Sequence, residues 1–149
     1  MRGELITMMM MATIVGMGMT CQGAVNALLT RRIDHPLQAA LFSFCVGTFT
    51  LIIVSACLRI PFPSISTIRT MPWYLWTGGL LGAIFVTTMT IVTPQLGSAV
   101  TISCVVTGQI VASMILDHYG ALGLPVTPFS LQRLLGMVLL IVAVVLIRR

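Results

Sequence analysis

The sequence predicts an all-α membrane protein with five transmembrane helices, and three observations carry that reading. Of its 149 residues, 58% are hydrophobic and 7% are charged, where soluble domains carry about 25% charged residues. So few charges cannot coat a water-facing surface, so apolar side chains must face lipid. The apolar residues come in continuous runs without period-two alternation, which favours helices over barrel strands. Five of these runs are long enough to cross a hydrocarbon core of roughly 30 Å, which needs about 20 helical residues. They cover residues 5–29, 37–58, 73–93, 97–117 and 131–147, and the length suits a single transmembrane domain over 1–149.

The first run follows Arg2 and superficially resembles a secretion signal. It is too long for an ordinary signal core and no small-residue cleavage site follows it, so it reads as a retained helix. The sequence Arg31-Arg32-Ile33-Asp34-His35-Pro36 is a short polar turn, and Pro36 stops helix continuation. Residues 59–72 contain Pro61, Pro63 and Pro72, with Arg59 and Arg69 towards the edges. Trp73, Tyr74 and Trp76 then form an aromatic belt where the third run enters the bilayer. Pro94-Gln95-Leu96-Gly97 reads as a tight hairpin that makes the third and fourth runs antiparallel neighbours. Gly120, Gly123, Pro125 and Pro128 mark the next connection, and Ser130 is placed to cap the fifth run.

The basic residues are all arginines: Arg2, Arg31, Arg32, Arg59, Arg69, Arg133, Arg148 and Arg149. The acids are Glu4, Asp34 and Asp117, giving a net charge of +5. Nucleic-acid binding is disfavoured, because the arginines sit at the ends of apolar runs, where they snorkel to headgroups. Five crossings put Arg2, Arg59, Arg69 and Arg133 on one side (side A) and Arg31, Arg32, Arg148 and Arg149 on the other (side B). The tally is 4 against 4. Insertion direction follows the Lys and Arg imbalance of short loops, and here there is none. The chain is therefore expected to insert both ways up. Two opposed copies would then pair about a two-fold axis in the membrane plane, making an inverted repeat from separate chains. The competing reading is one orientation fixed during synthesis or by a partner.

Cys21, Cys45, Cys57 and Cys104 lie inside apolar runs without CxxC spacing, so neither disulfides nor a zinc site is expected. Eleven methionines invite a copper(I) reading. Met8 to Met11 are consecutive, however, and point all round a helix rather than towards one ligand face. No metal and no cofactor is expected.

Polar and small residues inside the runs form separate stripes. Gly18, Gln22 and Asn26 recur every four residues and share one helical face; Gly16, Thr20, Gly23 and Ala27 lie on roughly the opposite one. Small faces allow close helix packing, while polar faces line cavities or hydrogen-bond to a neighbouring helix; both uses remain open for Gln22 and Asn26. In the fourth run Gly108 and Ala112 form a packing pair, and Gln109, Ser113 and Asp117 step along another face. Gln109 falls near the bilayer midplane. In the third run Gly78 and Gly82 are a packing pair, followed by Thr87, Thr88, Thr90 and Thr93. Most of these threonines read as structural, because a helical Thr hydroxyl bonds back to its own helix. No Asp, Glu, Lys or Arg lies at mid-membrane, which argues against proton-coupled export of cations. His35 and His118 fall in connections, and the sequence lacks phosphate-loop, nucleophile-elbow and metalloprotease motifs.

The segments Gln22-Gly23-Ala24-Val25-Asn26, Gly78-Gly79-Leu80-Leu81-Gly82-Ala83, Gly97-Ser98-Ala99, Gly108-Gln109, Leu116-Asp117-His118 and Gly120-Ala121-Leu122-Gly123-Leu124-Pro125 occur in order along nearly the whole chain. Through them the sequence resembles the YdcZ-type family of small five-helix bacterial membrane proteins, within the drug/metabolite transporter superfamily. The resemblance implies half of a ten-helix transporter fold, completed by an antiparallel dimer, in the bacterial inner membrane. It also implies members that occur as balanced single proteins, pairs or fusions. Small multidrug-resistance relatives carry an embedded glutamate in their first helix, where this chain has Gln22 and Asn26, so that chemistry does not transfer.

The expected function is a small dual-topology transporter of an unidentified solute, working as an antiparallel homodimer in the lipid bilayer. Gln22, Asn26, Gln109 and Ser113 are the candidate cavity residues. The alternative is a non-transporting structural or binding subunit of a heteromeric membrane complex. An enzyme acting on lipid is disfavoured, since no catalytic constellation is present.

Overall fold

In a computed structural model, residues 2–148 are described, the side chains of these two end residues excepted. Arg149 and the side chains of Arg2 and Arg148, all three counted in the charge tally, therefore lie outside the description. Six α-helices follow one another: α1 Arg2–Ile33, α2 Pro36–Cys57, α3 Ile65–Thr70, α4 Thr77–Leu96, α5 Ser98–Tyr119 and α6 Leu131–Arg148. A short 3₁₀ turn, Trp73–Trp76, leads into α4. No strand occurs among the described residues. Four helical segments are long and apolar enough to cross a membrane: Gly3–Ile33, Pro36–Cys57, Trp73–Leu96 and Ser98–Tyr119. The apolar part of α6, Leu131–Ile147, is shorter. The chain divides into two compact units, Met1–Gln95 and Leu96–Arg149.

Helix ends depart from the ends of the apolar runs for definable reasons. α1 continues through Arg31 and Arg32 to Ile33, because cations suit the negative end of a helix dipole. It stops where Asp34 adopts φ +57°, with its N–H still bonded to the Thr30 carbonyl at 2.8 Å. Asp is one of the few side chains that tolerate this left-handed conformation. His35 is extended, as the residue before proline must be, and Pro36 starts α2. Only Asp34 and His35 thus separate the two helices, and α1 and α2 pack together. α2 ends with Arg59 at φ +53°. The Ile60 and Arg59 amides bond to the Ser55 and Ala56 carbonyls at 2.9 and 3.1 Å, the two bonds of a Schellman motif.

The third crossing segment differs from the expected 73–93 at its far end. α4 runs through Pro94 and ends at Leu96. A proline in the last turn removes only one ladder bond, a modest loss that helices in membranes accommodate. The break comes instead at Gly97, whose φ of +80° and ψ of +153° belong to a region open essentially to glycine alone. α5 closes on Gly120 in the left-handed conformation. A Cβ there would lie 2.6 Å from Cγ2 of Val126, so this glycine is required by space as well as by φ.

Within the first unit, packing uses small residues. Ala27 of α1 and Ala39 and Ala40 of α2 are buried. Gly82 of α4 stands where a Cβ would come within 3.3 Å of the Phe44 ring. Within the second unit α5 packs on α6. Ser130 caps α6, its hydroxyl accepting from the Arg133 amide at 3.3 Å. Most large apolar side chains remain outside: Met8 to Met11, Ile14, Val15 and Met17 are each about two-thirds exposed, as lipid-facing residues are.

Candidate functional site

The first unit holds a buried polar cluster built from three helices. Asn26 of α1 is 4% exposed, and its amide donates to the Ser43 hydroxyl of α2 at 3.4 Å. One turn later the Thr30 hydroxyl donates to the Asn26 carbonyl at 3.1 Å. Gly23, one turn before Asn26, brings α4 close: a Cβ on it would lie 3.8 Å from the Met89 methyl and 3.9 Å from Oγ1 of Thr93. Thr90 and Thr93 are both buried on α4. Thr90 bonds back to the Val86 carbonyl at 2.7 Å. The Thr93 hydroxyl is buried and finds no partner among the described residues. Sequence reasoning singled out Asn26 but missed Ser43 and Thr93. The Ala39-Ala40-x-x-Ser43 spacing was the available signal for Ser43; nothing in the sequence separates Thr93 from its neighbours.

An unpartnered buried hydroxyl costs about 1–3 kcal/mol of desolvation. The isosteric Thr93→Val change is therefore expected to stabilise the purified protein by about 1 kcal/mol, while Thr90→Val, which gives up a formed bond, brings no such gain. Thermal unfolding in one detergent for both variants measures this.

The remaining candidate residues lie on open faces. Gln22 is exposed on α1, and Gln109 and Ser113 are exposed on α5. Gln109 sits at the middle of the 22-residue α5. Gln22 is nine residues before Arg31, about 13 Å along the helix. Of the small-residue positions, Gly23 and Gly82 pack inside the first unit, while the Cβ positions of Gly16, Gly78 and Gly108 meet nothing within 4 Å. Ala112 is exposed as well. Asp117, at the end of α5, contacts Arg133 at the start of α6, Oδ2 to Nη1, at 3.4 Å. His118 Nδ1 accepts from the Phe129 amide at 3.3 Å, and its ring lies 4.6 Å from that of Phe129.

No group of three or more His, Cys, Asp or Glu side chains among the described residues is arranged to hold a metal ion. The four cysteines are free and exposed. What the interior offers is neutral hydrogen bonding rather than charge.

The family model described as "Putative inner membrane exporter, YdcZ" matches residues 7–146. The chain belongs to the YdcZ family of inner-membrane proteins. No curated protein and no solved structure matches it. Family membership and the four apolar crossing helices make this YdcZ protein a multi-pass protein of the inner membrane and a membrane transporter by class.

Proposed function

We propose that this YdcZ protein is a dual-topology transporter of a small solute, working as an antiparallel homodimer. All five apolar helices cross the bilayer in this reading, and residues 1–149 act as one transmembrane domain. Two opposed copies complete a ten-helix bundle around a cavity lined by Gln22, Asn26, Gln109 and Ser113.

The observation that carries the proposal is Gln109. Its amide lies at the centre of α5, is exposed, and makes no hydrogen bond to another described residue. An amide left in hydrocarbon costs several kcal/mol. A second copy, or a wet cavity enclosed with it, removes that cost. Inversion about an axis in the membrane plane brings a mid-helix residue to the level of its own copy. The bare surfaces at Gly16, Gly78, Gly108 and Ala112 suit close approach of the second copy's helices. The even arginine tally supplies the opposed insertion that the pairing requires. Neutral amides and hydroxyls suit an uncharged or hydrogen-bonding solute.

C-terminal fusions to two reporters, one active only inside and one only outside, test the topology. Comparable signals from both are expected. Signal from one side only, with no companion gene expressed, contradicts the proposal and returns the chain to the role of subunit in a heteromeric complex.

A further inference from the structure

A cleft of about 390 Å³ lies between α5 and α6. Its walls are apolar, from Ile110 and Met114 on one helix and Met137 on the other. Gly136 leaves it open, since a Cβ there would meet nothing within 4 Å. Asp117 and Arg133 also line it, at the end of α5 and the start of α6. Ser113 lies one turn deeper than Asp117 on α5. From Asp117 to Ile110 is seven residues, about 10 Å of helix. The cleft therefore runs from a charged rim at the helix ends into hydrocarbon depth.

The rim pair is loose. Nη1 and Oδ2 are 3.4 Å apart, and the Arg133 and Asp117 side chains are 39% and 33% exposed. The contact engages one corner of a guanidinium that carries five N–H donors, and one of two carboxylate oxygens. Among the described residues nothing else pairs with either side chain. A cation and an anion held side by side, each with unused capacity, complement a guest that carries both signs at similar spacing.

We propose that this cleft is a binding site for a phospholipid whose headgroup carries a phosphate and a primary ammonium group. Arg133 takes the phosphate oxygens, for which its planar fork is suited. Asp117 accepts from the ammonium N–H groups, and an acyl chain lies along Ile110, Met114 and Met137. The choice of headgroup follows from donor chemistry. A trimethylated ammonium has no N–H to give to Asp117, and a glycerol headgroup has no positive charge to set against it. Phosphatidylethanolamine meets both requirements; phosphatidylcholine and phosphatidylglycerol each fail one. The residues that hold the lipid, Ile110, Met114, Asp117, Arg133 and Met137, all lie within one unit of one copy; Ser113, which the antiparallel reading gives to the solute cavity, is not among them.

The test uses the full-length protein, purified in detergent and given each of the three phospholipids with identical acyl chains. Bound lipid is counted by native mass spectrometry, and the thermal shift is measured in parallel. Phosphatidylethanolamine is expected to bind at least about tenfold more tightly than the other two. Asp117→Asn should remove that preference while phosphate-dependent binding persists; Arg133→Gln should weaken all three lipids. Gly136→Leu fills the cleft while leaving both charged side chains in the sequence and should lose the bound lipid, and circular dichroism confirms its helical content. Equal binding of the three lipids to the unmodified protein overturns the proposal. So does a phosphatidylethanolamine preference that survives either Asp117→Asn or Gly136→Leu.

Discussion

Biasing the insertion of either copy is expected to abolish the homodimer, and combining the two biased forms is expected to restore it. Asp34, His35 and Gln38 are exposed around the α1–α2 turn, which five crossings would put on side B. Replacing all three with lysine gives that side seven basic residues against four. Ser66, Thr67 and Thr70 are exposed on α3; with five crossings, lysines there would give side A the same excess. Orientation follows such imbalances, so each triple variant should insert one way only. If the working unit needs both directions, each variant alone should yield at least about tenfold less dimer, because orientation is fixed during insertion. Co-expression of the two, carrying different affinity tags, should return copurification to the level of the unmodified chain. Local damage is a poor rival explanation, since two damaged chains would not rescue one another. A dimer of normal yield from either variant alone would leave a parallel pair.

The membrane class and the main crossing segments were legible because bilayer thickness and the lack of water in hydrocarbon restrict the options to continuous apolar helices. Helix ends were less legible, because hydrophobicity and backbone hydrogen bonding end at different residues. Arg31 and Arg32 leave the apolar run yet remain helical, since the ladder continues until Asp34 turns left-handed. Pro94 looked like the start of a hairpin, but a proline can sit inside a final turn, and Gly97 alone carries the break. The six-residue α3, between Pro63 and Pro72, is capped by Ser64 accepting from the Thr67 amide at 3.2 Å.

The polar residues were legible in the sequence but not their burial, because spacing groups residues by face and packing decides which face turns inward. Asn26 is buried with Gly23 and Ala27, which helical spacing sets on the opposite face, while Gly18 and Gln22 of its own stripe are exposed. Its partner Ser43 and the unpartnered Thr93 depend on which faces of α2 and α4 turn towards α1, and no single-helix pattern fixes that. Thr90 and Thr93 look alike in sequence and lie on one helix, yet only Thr90 bonds back to its own turn. Asp117 and Arg133 are sixteen residues apart, and their contact needs α6 to return beside α5.

The relative direction of the two copies can be read most directly along α5. Gln109 occupies the middle of that helix, with Ile102 seven residues before it and Leu116 seven residues after it, nearly on the same face. Seven residues correspond to about 10 Å along the axis. In an antiparallel pair, Ile102 of one copy is level with Leu116 of the other, while like positions are separated by about 20 Å of depth. In a parallel pair each position is level with itself. Single cysteines at these positions, in a background with Cys21, Cys45, Cys57 and Cys104 replaced by serine or alanine, are cross-linked in native membranes with a short bifunctional thiol reagent. Gln109→Cys should cross-link to itself in most of the dimer. Ile102→Cys and Leu116→Cys should each fail alone and cross-link strongly when co-expressed. Self-cross-linking of Ile102→Cys and of Leu116→Cys, with none between them, would contradict the antiparallel homodimer.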